Sequence, residues 1–554
     1  MMWYKVYRNF IWHQVLVLCV APIIIFAQTV TSEQGMVASA NPLATQAGVE
    51  ILKMGGNAAD AAVTVAFSLG VVEPNASGVG GGGFLLYSNA GNDKVTMLDF
   101  RETAPAKFDV SKLYSKDGED FLTNNSSIMA FGVPGTVSGL LKLHRQEGVL
   151  DLAEVLQPAI KYARDGFVVS EKFADMIMSN YEKISMNEGT SGHFLIDGLP
   201  AMEGELIKNE ELAKCYEEIA ENGMNGYYKG EVAASLVNTV QKYGGSLSIR
   251  DLKKYKTHKK KPVSGSYRGY KIFSAPAPAG GTQVIQLLSI LENYDVSKYK
   301  PGDAEYLHLI AEAMKMVYVD KSAIMGDPDF VDVPVDQLLS KSHIEYQSNL
   351  IDPSKAKYDY KYSLPFEEES GSTTHFSIID KEGNMLALTQ SINHWFGTGI
   401  SDQKYGILLN DHLKDFAKDE NSPNALEPGK RPASSIAPTL ILKGKEPFLS
   451  IGTPGATRII SALVQIIVNI IDFEMDIDEA IEAPRIHALG EKLYMENRFS
   501  ESTQDNLKSY GHELVIKSAY DNYFGGAQGI MKDNQDSTLK GGADSRRDGN
   551  VLGY

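Results

Sequence analysis

Cysteine is almost absent from this 554-residue chain, which contains only two. Cys19 lies in an apolar segment close to the N-terminus, so the rest of the chain has Cys215 alone. One cysteine cannot form an internal disulfide, and a large hydrophobic core must therefore stabilise the fold. The helix-like run NEELAKC ends at Cys215, which favours a buried thiol over a nucleophile.

Positive charge is also scarce. The chain has 53 Lys and Arg residues against 70 Asp and Glu residues, which gives a formal net charge of −17. This deficit argues against a nucleic acid or an anionic membrane as partner, because no basic excess would attract phosphate groups. Only the stretch KKYKTHKKKPVSG (253–265) is locally basic, and we interpret it as a solvated loop or linker.

Signatures of metal and cofactor sites are lacking as well. The eleven histidines include no HExxH or comparable ligand spacing, so no metal and no cofactor are predicted. The run GVGGGG (78–83) fits G-x-G-x-x-G, but a strand-like FLLYS (84–88) follows it where a dinucleotide loop needs a helix. Close backbone packing, inside the fold or beside a catalytic centre, is the better interpretation of these glycines.

The N-terminal apolar run is too short for a membrane span. It covers Val15 to Ala27, whereas a spanning helix needs about 20 apolar residues. Lys5 and Arg8 precede it and the small residue Ala27 ends it, as is typical of a secretory signal peptide over residues 1–27. We therefore expect a secreted or periplasmic protein with no membrane association after cleavage.

Helices and strands are grouped along the sequence. Asn41 and Pro42 suit the start of a helix that ends near Gly55, and a second helix is expected from Ala58 to Leu69. Further helices are predicted at 151–165, 304–320 and 459–471, and strands at 84–88, 95–100, 374–380, 385–392, 438–443 and 447–452. This grouping favours an α+β fold of stacked sheet and helix layers over a doubly wound one.

Two adjacent threonines, Thr373 and Thr374, lie between a polar connector (350–372) and a predicted strand. On this stretch alone, a loop running into a strand edge is the better interpretation. A threonine hydroxyl becomes a useful nucleophile only beside a base, and its own α-amine can be that base once the preceding bond is cut. The bond between Ser372 and Thr373 fits such a cut, which needs an accessible, strained connector. Ser391, in the next predicted strand, could face the hydroxyl.

Three further positions could complete a site. The glycine of TPGATR (453–458) would let backbone N–H groups face a reacting carbonyl, as an oxyanion hole requires. Arg101, in LDFRETAP, could bind a carboxylate of the substrate or form an ion pair with Glu102 or another acid, and the spacing alone does not decide between them. Asp415, in NDHLKDF, could bind an ammonium group, although by itself it is better interpreted as a solvated turn residue.

Taken together, these segments resemble the gamma-glutamyltranspeptidase family. The resemblance implies an N-terminal-nucleophile hydrolase fold, a four-layer αββα sandwich. It also implies a precursor that cuts itself between Ser372 and Thr373 into a large subunit (28–372) and a small subunit (373–554), which form a heterodimer. The motifs that carry it follow one order along most of the chain: EPNASGVGGGGF (73–84), LDFRETAP (98–105), FGVPGT (131–136), GDPDFVDVP (326–334), STTHFSIIDKEGN (372–384), FGTGI (396–400), KRPASSIAPT (430–439), GTPGATRII (452–460) and EAPRIH (482–487).

The resemblance also implies the chemistry. Thr373 would accept a γ-glutamyl group from a donor such as glutathione and pass it to water or to the amine of an amino acid or peptide. The implied roles are these: Ser391 bonds the nucleophile, Gly455 and Ala456 bind the oxyanion, Arg101, Ser434 and Ser435 bind the substrate carboxylate, and Asn393 and Asp415 bind its ammonium group.

The sequence departs from the family pattern at several positions. Ser391 stands where threonine is common, Ala456 replaces a second glycine, and His412 stands where glutamine or glutamate is frequent near the substrate amine. The segment 418–432 is short where some members carry a lid, which suggests an open pocket. Alternatives are an amidase of the same fold acting on poly-γ-glutamate or on glutaryl or cephalosporin side chains, and an inactive exported binding protein. Asp415 argues against a glutaryl substrate, which has no α-amine.

Overall fold

Strands make up both central layers of the protein. The computed structural model describes residues 29–90, 94–113, 127–358, 372–533 and 536–554. The strands within these ranges are β1 (Val30–Ser32), β2 (Met36–Ser39), β3 (Gly82–Ser88), β4 (Val95–Asp99), β5 (Phe167–Val168), β6 (Leu195–Ile196), β7 (Leu199–Pro200), β8 (Leu206–Ile207), β9 (His258–Lys260), β10 (Val263–Tyr267), β11 (Tyr270–Ser274), β12 (Thr374–Ile379), β13 (Met385–Ser391), β14 (Ser401–Asp402), β15 (Ile407–Leu408), β16 (Thr439–Lys443), β17 (Glu446–Gly452), β18 (Ile486–Leu489), β19 (Lys492–Glu496), β20 (Glu513–Lys517), β21 (Gln528–Lys532), β22 (Leu539–Ala543) and β23 (Asn550–Gly553).

Two seven-stranded antiparallel sheets pack face to face. The strand order of the first sheet is β23-β2-β12-β13-β3-β4-β9, and that of the second is β1-β22-β21-β17-β16-β11-β10. Strands β12 and β13 lie inside the first sheet and pack against β17 and β21 of the second. Every residue of β12 and β13 is buried, so the hairpin predicted to follow Thr373 forms the centre of the molecule.

Helices cover the two outer faces. Pro42–Lys53 and Ala58–Val72 pack on the first sheet, and Gly281–Leu291 and Arg458–Ile471 pack on the second. The order of layers is therefore helix, sheet, sheet, helix, as the sequence predicts. The remaining helices are Val110–Leu113, Thr136–Glu147, Leu152–Asp165, Glu171–Ser179, Tyr181–Ser185, Glu188–Phe194, Glu210–Asn222, Met224–Tyr228, Gly230–Lys242, Ile249–Lys254, Ala304–Ile324, Val335–Leu338, Lys341–Asn349, Ile477–Glu482 and Glu501–Ser509.

Local sequence signals account for the first two helices. The side chain of Asn41 accepts a hydrogen bond from the N–H of Leu43, and Pro42 is the first helical residue, as predicted. Asn57 and Asp60 form a capping box at the start of the second helix. Cys215 is buried on the helix Glu210–Asn222, and burial raises the pKa of its thiol well above the usual range, which confirms the prediction of a buried thiol.

The basic stretch 253–265 is not a linker, and that interpretation was wrong. It contains β9 and the start of β10, each at the edge of one of the central sheets. Val263 and Tyr267 are buried at the two ends of β10, whereas the residues between them are exposed or half-buried. Lys260 Nζ lies 2.9 Å from Asp99 Oδ2 on the neighbouring strand. Charged side chains are common on edge strands because they discourage pairing with other molecules.

Two predicted segments fall outside the described residues. These are the signal peptide (1–27) and most of the polar connector, residues 359–371. Among the residues that the structure does describe, no helix combines the length and the hydropathy that crossing a bilayer requires.

Candidate active site

Thr373 and Ser391 lie opposite each other at the open end of the β12–β13 hairpin. The ladder pairs Thr374 with Gln390, and the same register, continued by one residue, pairs Thr373 with Ser391. Directly opposite residues of antiparallel strands project to the same face of a sheet. The Thr373 hydroxyl accordingly donates a hydrogen bond to Ser391 Oγ across 3.0 Å. The register of this one hairpin therefore explains why two residues that are 18 positions apart in the sequence are in contact.

The backbone at Thr373 is strained. Its φ angle is +124°, a value that β-branched residues rarely adopt. The strain expected at the Ser372–Thr373 bond is therefore present. The expected accessibility is not, because Ser372 and Thr373 are only 1% and 5% exposed. Since an external protease could not reach a bond buried in this way, any cut here has to be made from within the protein.

The glycine run packs directly against this hairpin. A Cβ atom at Gly81 would lie 2.1 Å from the carbonyl oxygen of Ser391, and one at Gly80 would lie 2.0 Å from that of Leu408. Only glycine permits such close approach of two backbones. The prediction of close backbone packing beside the site is confirmed.

Asn393 connects the Thr373–Ser391 pair to Asp415. Its backbone N–H donates a hydrogen bond to Ser391 Oγ (2.8 Å), and its side-chain Nδ2 donates to Asp415 Oδ1 (2.9 Å) and to the Asp411 carbonyl oxygen (3.2 Å). Its φ angle is +77°, which asparagine tolerates better than most residues. Thr373, Ser391, Asn393 and Asp415 therefore form one hydrogen-bonded chain.

Arg101 completes that chain from the other side. The residue is 1% exposed, directly after β4, and its Nη2 donates a very short hydrogen bond to Asp415 Oδ2. Its Nε also donates to the carbonyl oxygen of Pro432 (3.3 Å). Nη1 lies 3.6 Å from Glu102 Oε2 and has no hydrogen-bond partner among the described residues. The ion-pair alternative is thus present in the structure, whereas binding of a substrate carboxylate by Arg101 stays a prediction.

Ser434 and Ser435 follow the segment that Arg101 contacts. Arg101 Nη2 also donates to the carbonyl oxygen of Ala433 (3.4 Å), one residue before the serine pair. Both serines are buried, and Ser434 Oγ accepts a hydrogen bond from the N–H of Ile436 (3.1 Å). The pair therefore directly follows a residue that contacts the guanidinium, and its role in carboxylate binding stays a prediction.

His412 is buried beside an acid. Its Nδ1 lies 2.8 Å from Glu102 Oε1, and both side chains are at most 2% exposed. A protonated imidazole near the substrate ammonium would repel it. The adjacent Glu102 carboxylate opposes that effect by supplying a negative charge. A direct contact of His412 with substrate stays a prediction.

Gly455 and Ala456 form a turn after β17 in which both residues have positive φ angles, +133° and +52°. A Cβ at Gly455 would lie 3.2 Å from the Cα of Gly525, and one at the next residue, Gly526, would lie 2.7 Å from Arg547 Cγ. The guanidinium of Arg547 in turn contacts Thr373. The turn is thus connected to Thr373 through Gly525, Gly526 and Arg547, and the oxyanion role of Gly455 and Ala456 stays a prediction.

Sequence reasoning missed Arg547 and Glu73. Arg547 Nη1 donates a hydrogen bond to the Thr373 carbonyl oxygen (2.7 Å) and lies 3.4 Å from Glu73 Oε1. Burial raises the pKa of Glu73 to about 7, against the opposing effects of Arg547 and of the Thr374 hydroxyl. The sequence signals were the position of Glu73 at the start of the motif EPNASGVGGGGF (73–84) and the pair of arginines in ADSRRDG (543–549).

One polar cluster outside the site contains residue types that bind metals. The candidate ligand atoms of His308, Glu312 and His512 lie within 4.8 Å of one another, and all three residues are buried. His308 Nδ1 is 2.8 Å from His512 Nε2, and Lys315 Nζ is 2.7 Å from Glu312 Oε1. Because this buried ammonium already neutralises Glu312, we interpret the cluster as an ion pair beside a histidine pair.

Known proteins share both the sequence and the fold. A model of the gamma-glutamyltranspeptidase family matches residues 44–554. The glutathione hydrolase proenzyme of Escherichia coli is 40% identical over 536 residues, which cover 93% of this chain and 91% of that protein. The acylase ACY 1 proenzyme of a Pseudomonas species is 34% identical and covers 94% of this chain and 93% of its own length.

The solved structures include close matches to the fold. The crystal structure of a cephalosporin acylase from Bacillus halodurans superimposes with a TM-score of 0.89 at 28% identity, over 96% of this chain and 98% of that one. The architecture is therefore that of the N-terminal-nucleophile hydrolases, as predicted.

Proposed function

The chain belongs to the gamma-glutamyltranspeptidase family, and we propose that it is an exported gamma-glutamyltransferase and glutathione hydrolase that acts through Thr373. The observation that carries this proposal is the hydrogen-bonded chain that begins at the Thr373 hydroxyl and ends at the Arg101–Asp415 pair. It joins a nucleophile to one positive and one negative group, which is the arrangement that a zwitterionic α-amino acid head group requires.

The Arg101–Asp415 pair suits the γ-glutamyl head group. The α-carboxylate would bind Arg101, whose Nη1 has no hydrogen-bond partner among the described residues, and the α-ammonium would bind Asp415. Ser434 and Ser435 would assist the first contact and Asn393 the second. Binding would replace the Arg101–Asp415 ion pair by two ion pairs with the substrate. Neither side chain would be left unpaired, which avoids the large free-energy cost of an isolated buried charge.

Self-cleavage would precede catalysis. The Thr373 hydroxyl attacks the carbonyl carbon of Ser372, the peptide C–N bond breaks, and the hydroxyl proton goes to the departing nitrogen. Water then hydrolyses the resulting ester, which leaves a carboxylate on Ser372 and a free hydroxyl and α-amine on Thr373. The strained backbone and the burial of this bond support an intramolecular reaction. The products would be subunits 28–372 and 373–554, held together as a heterodimer.

Turnover would use the new α-amine as base. The amine takes the proton of the Thr373 hydroxyl as Oγ1 attacks the γ-carbonyl carbon of the donor. Backbone N–H groups of Gly455 and Ala456 would stabilise the oxyanion. The C–N bond of the donor breaks, the leaving amine takes the proton, and a γ-glutamyl ester remains on Thr373. Water or an acceptor amine then attacks that ester and restores the hydroxyl.

A comparison of the wild type with Thr373→Ala tests this proposal. Wild-type protein should run as two fragments on a denaturing gel, the smaller one beginning at Thr373, and should hydrolyse γ-glutamyl p-nitroanilide. The variant should remain one chain and be inactive, whereas Thr373→Ser should retain cleavage and turnover. A wild type that stays uncut and inactive would overturn the proposal, and a fragment beginning elsewhere would overturn the assignment of Thr373.

Related amidase substrates are the alternative, because the acylases named above share the fold. A glutaryl group carries the carboxylate but no ammonium, so it would separate Arg101 from Asp415 and leave the carboxylate of Asp415 without its partner. This favours γ-glutamyl donors over glutaryl ones. Parallel assays with glutathione, a glutaryl anilide and poly-γ-glutamate would rank the three substrate classes.

Export is part of the proposal and rests on residues 1–27 alone. Its test is the N-terminal sequence of the large subunit from a host that secretes the protein, which should begin directly after Ala27. A large subunit that still begins at Met1 and stays in the cytoplasm would refute export without affecting the proposed chemistry.

A further inference from the structure

The side chain of Arg547 contacts the backbone of Thr373, the proposed nucleophile. The ladder of β12 begins at Thr374, so the carbonyl group of Thr373 lies one residue outside it. Arg547 Nη1 donates a hydrogen bond to this carbonyl oxygen across 2.7 Å. Arg547 is 7% exposed, and hydrogen bonds from a buried guanidinium are among the stronger ones in proteins.

Several contacts hold the guanidinium in place. Glu73 Oε1 lies 3.4 Å from Arg547 Nη1, and the ring of Trp395 lies 4.8 Å from the guanidinium carbon. The stem passes over Gly526, where a Cβ would lie 2.7 Å from Arg547 Cγ. The Arg547 backbone is also held, because Lys172 Nζ donates a hydrogen bond to its carbonyl oxygen (2.6 Å). The side chain is therefore fixed from several directions.

This contact gains importance when the chain is cut. Thr373 would then be a chain terminus, and termini lose order unless they are anchored. The structure shows two anchors at Thr373, namely Ser391 on its hydroxyl and Arg547 on its carbonyl oxygen. Because Arg547 holds the carbonyl group and Ser391 holds the hydroxyl, rotation about the Thr373 Cα–C bond is fixed. The direction of the α-amine is then fixed as well.

We propose that Arg547, with Glu73 as its carboxylate partner, is a positioning residue that holds the α-amine of Thr373 in line with its own hydroxyl. Arg547 does not touch substrate in this role. It acts on the proton transfer from hydroxyl to amine, so its loss should lower kcat while the KM for the γ-glutamyl donor changes little. The inference rests on the proposed function, because it assumes Thr373 as the nucleophile.

The test compares Arg547→Met with Arg498→Met. Methionine preserves much of the packing of the stem and removes every donor. Arg498 is a matched control, since its guanidinium also bonds a backbone carbonyl (Glu482, 2.7 Å), pairs with a carboxylate (Glu496) and lies over an aromatic ring (Tyr520, 3.8 Å). We expect Arg547→Met to lower kcat by about tenfold or more with KM within about threefold, and Arg498→Met to leave both within about twofold.

Chemical rescue separates positioning from mere stability. Guanidinium ion added at millimolar concentration to Arg547→Ala should restore part of the lost kcat, because it can occupy the vacated site and bond the Thr373 carbonyl oxygen. It should not change the activity of the wild type. If Arg547→Met does not fold, Arg547→Lys decides. Lysine Nζ lies one bond nearer the backbone than Arg547 Nη1, so it cannot bond the Thr373 carbonyl oxygen in the same geometry, and kcat should still fall by about tenfold.

The possible failures are distinguishable. A wild type that stays uncut and inactive overturns the proposed function itself. If the wild type is active, three results would overturn this inference alone. These are an unchanged kcat in the deciding Arg547 variant, losses of kcat and thermal midpoint no larger than those of Arg498→Met, and no recovery of Arg547→Ala activity with guanidinium.

Discussion

The guanidinium of Arg101 and the carboxylate of Asp415 are hydrogen-bonded to each other, although the two residues are 314 positions apart in the chain. Arg101 is buried, whereas the Asp415 side chain is 27% exposed. The structure thus contains a neutral pair in which only the acid reaches solvent. Under the proposed function a γ-glutamyl donor would separate this pair, and its head group, which carries both opposite charges, would replace each contact that it removes.

Asp415→Asn should weaken γ-glutamyl turnover selectively. The amide cannot pair with an ammonium group, so kcat/KM for γ-glutamyl p-nitroanilide should fall by about ten- to a hundredfold, the usual value of a hydrogen bond to a charged group. A glutaryl anilide should be turned over as well as before or better, because Arg101 no longer has a competing carboxylate. Asp419→Asn, at an exposed position nearby, is the control. Equal losses on both substrates would remove Asp415 from the amine-binding role.

Ser391→Ala should lower kcat, and Ser391→Thr should not. Alanine removes the acceptor for both the Thr373 hydroxyl and the Asn393 N–H, so we expect kcat to fall by about tenfold. Threonine retains the hydroxyl at the same register position. Steady-state assays of the cleaved proteins provide the measurement. An alanine variant as active as the wild type would show that the 3.0 Å contact has no catalytic value.

Gly81→Ala should destabilise the protein and disturb the site. The new methyl group would meet the Ser391 carbonyl oxygen at 2.1 Å, so the backbone has to move, at a cost of about 2 kcal/mol or more. Gly192→Ala is a control in a helix, with nothing within 4 Å of the added carbon. That control should be neutral or slightly stabilising. Thermal unfolding of both variants provides the measurement, made in the Thr373→Ala background so that the protein stays one chain. Equal thermal midpoints for the two variants would contradict the packing argument.

Lys315→Met should lower the free energy of unfolding much more than the double substitution Lys315→Met with Glu312→Gln. Lys315 and Glu312 are 0% and 1% exposed, and removing the lysine alone leaves a buried carboxylate without its ammonium partner. Breaking such a pair from one side costs about 3–5 kcal/mol, whereas removing both charges costs far less. Urea unfolding of the single and double variants measures the difference. Additive losses would show that the two side chains are not coupled.

Glu73→Gln should change how stability depends on pH. The pKa of Glu73 is raised from 4.5 to about 7 in the fold, mainly by burial. Between these values the unfolded chain releases a proton that the folded protein keeps, so the free energy of unfolding falls as pH rises, by up to about 3 kcal/mol. Stability from this group is complete below pH 4.5 and lost above pH 7. The glutamine variant lacks this dependence, and a constant difference from the wild type between pH 4.5 and 7 would contradict the raised pKa.

Features that depend on neighbouring residues could be predicted from the sequence. The caps at Asn41 and Pro42 are local, and the alternation on both sides of KEGN (381–384) defines the hairpin. The hairpin in turn determines that Thr373 faces Ser391. The basic stretch 253–265 misled the prediction, because positive charge does not distinguish a linker from an edge strand.

Contacts between distant segments could not be predicted in this way. Arg547 is 174 residues from Thr373 and 474 from Glu73, and no periodicity links the three. The direct pairing of Arg101 with Asp415 was equally hidden, since each residue alone also fits a simpler interpretation. The family resemblance implied roles for several residues within shared motifs, but not for Glu73, which begins one of them, nor for Arg547; the contact between these two was found in the packing.

The strand order of the first central sheet has a consequence for assembly. In the sequence, strand β2 precedes the proposed cut at 372–373, whereas β23 and β12 follow the cut. In the sheet, β2 lies between these two strands. Strand β13 likewise follows the cut and lies beside β3, which precedes it. Each half of the chain therefore lacks strands that its own half-sheet needs, so neither can be a folded unit alone, and halves from different molecules cannot be exchanged without unfolding both.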